Sequence, residues 1–121
     1  MTRNLLIALA LAAAAAAPVS AAMTTGTFVT RARALQAQGM AAVLSPDFQT
    51  LRAEAQTATQ QLKADRAARQ AAGKKPIACV PEGQSLGIIE MLDGLDALPA
   101  ADKKLPVKDG YARVLAKRFP C

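Results

Sequence analysis

The chain has 121 residues, with 15 Lys or Arg against nine Asp or Glu, a formal net charge of +6, and no histidine. Without an imidazole, Ser-His-Asp and Cys-His catalysis and every histidine-bearing zinc site are excluded. One Tyr, three Phe and no Trp leave few aromatic faces for stacking on bases, so the basic balance points to a solvated face or an acidic protein partner rather than to nucleic acid.

Residues 1 to 22, MTRNLLIALALAAAAAAPVSAA, have the layout of a secretory signal peptide: a positive charge at Arg3, an uncharged apolar stretch from Leu5 to Ala17, then Pro18 and small residues. Cleavage is expected after Ala21 or Ala22. As a helix the apolar stretch would span about 20 Å, short of the ~30 Å of bilayer hydrocarbon, so it reads as a cleaved signal rather than a transmembrane anchor, and no membrane association is expected once it is removed. Residues 23 to 121 are then expected to form a single exported, periplasmic domain. Losing Arg3 and no carboxylate leaves it at +5.

The first element is a helix in TTGTFVTRARALQAQG, with Thr25 or Thr27 as its N-cap and Gly39 as its stop. Phe28, Ala32 and Leu35 recur at i, i+4 and i+7 and share one face. The apolar piece MAAVLS should add a turn or two of helix before Ser45. Then comes a stronger start: Ser45 as N-cap, Pro46 at the first helical position and Asp47 in the first turn, where its charge meets the positive end of the helix dipole. Phe48, Leu51, Ala55, Ala58 and Leu62 form a narrow apolar seam, and nothing interrupts the helix before Gly73, so it should run from Pro46 to about Ala72, some 40 Å. Beyond Leu62 no large apolar side chain follows, which predicts a basic, alanine-rich arm from Lys63 to Lys75 that is either solvated or available to a partner.

KKPIACVPEG reads as an extended linker, with Pro76 and Pro81 on either side of Cys79. Ser85 should cap a third helix whose apolar band of Leu86, Ile88, Ile89, Met91, Leu92, Leu95 and Leu98 is expected to be the most buried part of the chain, with Gly87 and Gly94 marking close packing. Pro99 ends it. AADKK reads as a polar connector with Asp102 as a cap, and Pro106 opens a last helix carrying Val107, Tyr111, Val114, Leu115 and Phe119. No stretch alternates with period two. The fold class is therefore all-α: a small bundle of four main helices plus a short one.

Export places Cys79 and Cys121 in an oxidising compartment, where disulfides persist. An intrachain bridge would close a loop of 42 residues. It would contribute about 4 kcal/mol on the chain-entropy model and pin a chain end that would otherwise fray. An intermolecular disulfide and a reactive thiol are the competing fates, although no histidine is present to activate a thiolate. The intrachain staple is the expectation. Asp93 and Asp96, one turn apart behind Glu90, read as a solvated acidic face. The scattered Gly83, Gly87, Gly94 and Gly110 make no phosphate loop. No catalytic residue, cofactor or metal is expected.

The second half resembles the Rap/Tai immunity proteins of type VI secretion. The resemblance is carried by Cys79 with Pro81 and Glu82, the leucine-rich stretch Ile88 to Leu98, Pro99, the helix Val107 to Leu115, and the terminal Phe119-Pro120-Cys121. FVTRARALQAQG and the long charged helix are similar to the family's first half more loosely, and Phe119 departs from a more usual Tyr. The resemblance implies an all-α periplasmic protein, commonly a homodimer, that binds and blocks a cysteine-histidine peptidoglycan amidase effector. The family's paired cysteines carry over to Cys79 and Cys121; its inhibitory contacts do not carry over residue by residue. A different class of function is a periplasmic structural or adaptor protein that lays the Lys63 to Lys75 arm on acidic cell-wall polymer or an anionic membrane.

Overall fold

The structure, a computed structural model, describes residues 23–121; the proposed signal peptide lies outside the described residues. The domain is all-α, with helices α1 (Thr25–Gln38), α2 (Pro46–Ala71), α3 (Ile88–Asp96), α4 (Ala100–Lys103) and α5 (Val107–Arg118), and a 3₁₀ segment, Gly39–Leu44, between α1 and α2. One disulfide joins Cys79 to Cys121 with the Cα atoms 4.9 Å apart.

The expected start of α2 holds. Ser45 Oγ accepts from the Asp47 backbone N–H at 3.3 Å, with Pro46 opening the helix. Helix α1 ends at Gly39, whose φ of 61° is a conformation that a Cβ disfavours. The N-cap of α1, however, is Thr24 rather than Thr25 or Thr27: its hydroxyl accepts from Thr27 N at 3.2 Å. Thr25 cannot serve because it is fully buried and its hydroxyl donates to Leu105 O at 2.9 Å. Residues 23 to 25 lie antiparallel to 105–107, with Val107 N donating to Met23 O and Thr25 N to Leu105 O, which ties the start of α1 to the entrance of α5.

Three further expectations are corrected. Helix α3 starts at Ile88 behind Gly87, with no side-chain cap. Ser85 stays outside because a turn closed by Gln84 N on Pro81 O, with Gly83 at φ 79°, occupies the chain just before it. AADKK is not a mere connector: Ala100–Lys103 is a helical turn, and Asp102 sits inside it, its N–H bonded to Pro99 O, rather than capping it. The third concerns burial. Leu92 and Leu95 are buried, but Ile88 is 86% and Ile89 52% exposed, so the first turn of α3 is uncovered and the helix is not the most buried element.

The core joins Phe28, Val29 and Leu35 of α1, Leu51 and Ala58 of α2, Leu92 and Leu95 of α3, and Val107 and Val114 of α5. Close approach is set by glycine at two places. A Cβ on Gly94 would lie 2.7 Å from Val114 Cγ1, and one on Gly110 would lie 2.4 Å from Thr25 Oγ1. Gly87, by contrast, has only Glu90 Oε1 near it, at 3.8 Å, and marks no close helix contact.

Candidate functional site

Helix α2 is about 39 Å long at 1.5 Å per residue, and only part of its length is covered. Along the same apolar seam an open groove of about 1270 Å³ runs between α2, the end of α1, the linker and α3. Its apolar surface comes from Leu35 and Val43 at one end, from Phe48, Leu51, Ala55 and Leu62 along α2, from Ile77 and Val80 in the linker, from Leu86, Ile88 and Ile89 at the start of α3, and from Tyr111 and Leu115 of α5. Burial pushes the Tyr111 phenol above its ordinary range, and its ring meets Phe28 edge to face at 6.1 Å, so the floor of the groove is neutral and firmly packed.

The wall contributed by α2 changes character along its length. Phe48, Leu51 and Ala55 come first with Arg52 among them, Thr59, Gln60 and Leu62 follow, and Lys63, Asp65, Arg66 and Arg69 finish it. Five of the nine carboxylates are already in ion pairs: Asp47 with Arg31, Asp93 and Asp96 with Arg33, Asp65 with Lys108, and Asp102 with Arg113. None of these pairs engages Arg52, Lys63, Arg66 or Arg69, so the groove face of α2 carries four cations outside them. The expected basic arm is thus exposed, except that Asp65 is held by Lys108 at 3.1 Å and anchors its first turn to α5.

The two cysteines brace the opposite wall. Cys79 N donates to Phe119 O at 2.9 Å, and Cys121 Sγ lies 3.6 Å from Pro76 O. The bridge therefore fixes Pro76, Ile77, Ala78 and Val80, which line the groove, to the end of α5. Its sulfurs are both engaged, and no free cysteine is present. The acidic face is committed as well: Arg33 donates to Asp93 at 2.8 Å and to Asp96 at 3.3 Å. Among the described residues no group of three or more Cys, Asp or Glu side chains is placed to hold a metal.

Sequence reasoning placed the staple and the basic arm but missed the groove. A signal was present. Seven apolar residues between Leu86 and Leu98 make a band wider than the stripe a helix needs to face one core, and the adjacent Ile88 and Ile89 cannot both point inward. No protein-family model matches the chain, and neither does any curated protein or solved structure. No helix among the described residues is long and apolar enough to cross a membrane.

Proposed function

We propose that the chain is a periplasmic immunity protein that binds and blocks a type VI secretion peptidoglycan amidase effector, acting by occlusion and with no chemistry of its own. The observation that carries this reading is the groove: a braced, preformed apolar surface, with Ile88 and Ile89 left in solvent at its edge, is what a binding protein presents to a partner. The bridge between the Cys79 segment and the terminal Phe119-Pro120-Cys121, the two most specific points of the resemblance, supports the choice of family. Preorganisation matters here, because a surface already held in its bound shape spends less of the contact free energy on ordering. The homodimer implied by the resemblance belongs to the same proposal.

The test is direct. The protein purified with its disulfide intact should abolish cell-wall hydrolysis by a papain-like amidase encoded beside it when added at equimolar concentration. The second reading, a periplasmic adaptor, draws on Lys63, Arg66, Arg69, Lys74 and Lys75, none of which is ion-paired among the described residues. It is favoured instead if no amidase is inhibited and the protein sediments with isolated cell wall in a salt-sensitive way.

A further inference from the structure

We infer that the groove is the contact surface and that its occupant is an acidic amphipathic segment of a partner protein: an apolar ridge lying on the groove floor with carboxylates facing α2. This rests on the reading of the chain as a binding protein.

Size is the first argument. Small-molecule sites enclose roughly 300–1,000 Å³, whereas this groove is open and holds about 1270 Å³. The α2 residues that line it run from Phe48 to Arg69, about 32 Å along the axis. A length of polypeptide matches that better than a metabolite does.

Charge is the second. Arg52, Lys63 and Arg66 recur at intervals of eleven and three residues, which keeps them on one side of α2, and Arg69 follows one turn later. All four are exposed, and none lies within ion-pair distance of a carboxylate among the described residues. Carboxylates on the occupant would supply the missing partners at the rim, while its apolar ridge covers Ile88 and Ile89. A second copy of this chain is a poorer occupant, because it would bring the same unpaired cations against each other. A bare anionic surface would satisfy the cations but leave the apolar floor uncovered.

The probe is a blocked synthetic helical peptide with leucines at i, i+3, i+4 and i+7 and flanking glutamates, set against a twin in which every glutamate is lysine. Binding to the purified, oxidised protein is followed by fluorescence anisotropy. The acidic peptide should bind at least about tenfold more tightly than the basic twin at 50 mM salt, and the gap should narrow at 300 mM. Arg66→Glu with Arg69→Glu should weaken the acidic peptide about tenfold or more, and Ile88→Asp should weaken it comparably. Lys117→Glu, an exposed change away from the groove, should leave binding intact. Because these residues are exposed, circular dichroism and thermal unfolding should show all the variants folded.

Equal binding of the twins, no saturable binding, or insensitivity to the groove variants would overturn the inference. So would binding to phosphatidylglycerol vesicles without binding to the peptide, or a dimer in analytical ultracentrifugation that Ile88→Asp dissolves. The two levels separate cleanly. If an amidase is inhibited equally by the parent and the groove variants, the groove assignment fails and the immunity reading stands; if the peptide binds but no amidase is inhibited, the reverse holds.

Discussion

Gly110 and Thr25 meet so closely that a methyl group on the glycine would lie 2.4 Å from Thr25 Oγ1 and 2.8 Å from Thr25 Cγ2. The threonine is fully buried there with its hydroxyl on Leu105 O, so it has little freedom to retreat. Helix propensity alone would favour alanine over glycine in α5 by about 1 kcal/mol. Overpacking of a tight contact costs about 1–3 kcal/mol. Gly110→Ala is therefore expected to destabilise the domain despite the better helix former. A double-mutant cycle with Thr25→Ala, read from urea unfolding, should show coupling of about 0.5–3 kcal/mol, because the smaller partner relieves the clash. Additive effects would show that the two helices simply shift apart.

The staple should be worth several kcal/mol. Cys79 and Cys121 are separated by 42 residues, and removing such a bridge from a small domain costs about 2–5 kcal/mol. The variant to use is Cys79→Ser with Cys121→Ser, which leaves no odd thiol to pair between molecules. Its unfolding midpoint should match that of the reduced parent, and the unreduced parent should release no thiol to a colorimetric reagent under denaturing conditions. The linker that the bridge holds against α5 also lines the groove, so peptide binding should weaken before the fold is lost.

Much of this architecture could be read from the residues, and the misreadings share a cause. Ser45-Pro46-Asp47 specified the start of α2 because its cap, ring and charge act on their own neighbours within one turn. The N-caps of α1 and α3 are not legible in the same way, because the deciding partners lie far away in sequence or in a turn. Thr25 is taken by Leu105, 80 residues on, and the Pro81 to Gln84 turn keeps Ser85 out of helix. Apolar patterning has a related limit. It states that a face wants covering but not what covers it, so Ile88 and Leu92, four residues apart on one face, read alike in sequence and end at 86% and 6% exposure. The wide apolar band from Leu86 to Leu98 signals a face in want of cover but not that the cover is missing, since the groove is made where two well-patterned elements do not meet.

Acid should weaken the contact between α1 and α2. Arg31 donates from Nε to Asp47 Oδ2 at 3.1 Å and from a second nitrogen to the other oxygen. The guanidinium hydrogen bonds, aided by its charge, hold the Asp47 carboxyl below its ordinary range, while partial desolvation opposes the shift. A carboxyl that is more acidic folded than unfolded favours the folded state above its unfolded pKa, near 3.9, and loses that contribution as pH falls through the folded value. Asp47→Asn should therefore be less stable than the parent near neutrality. The gap in urea midpoints should shrink below about pH 4 and close once the Asp47 carboxyl is protonated in the folded state as well as the unfolded one. A gap that stays constant from pH 7 to pH 2 would mean that Asp47 acts through packing or capping rather than through its charge.

The two ends of α3 should separate stability from binding. Leu95 is fully buried, with a methyl 3.2 Å from where a Cβ on Gly110 would stand, and Leu95→Ala should cost about 2–5 kcal/mol through lost burial and the cavity left behind. Ile88, seven residues earlier on the same helix, is 86% exposed, and Ile88→Ser should change stability by no more than about 0.5 kcal/mol. If the groove binds a partner, the order reverses in a binding assay: Ile88→Ser should weaken capture of the acidic peptide or of an inhibited amidase, whereas Leu95→Ala, measured where it remains folded, should bind nearly as the parent does. An isoleucine that could be removed at no cost to either property would show that α3 overhangs the groove without contributing to it, and the contact would then have to lie on α2 and the linker alone.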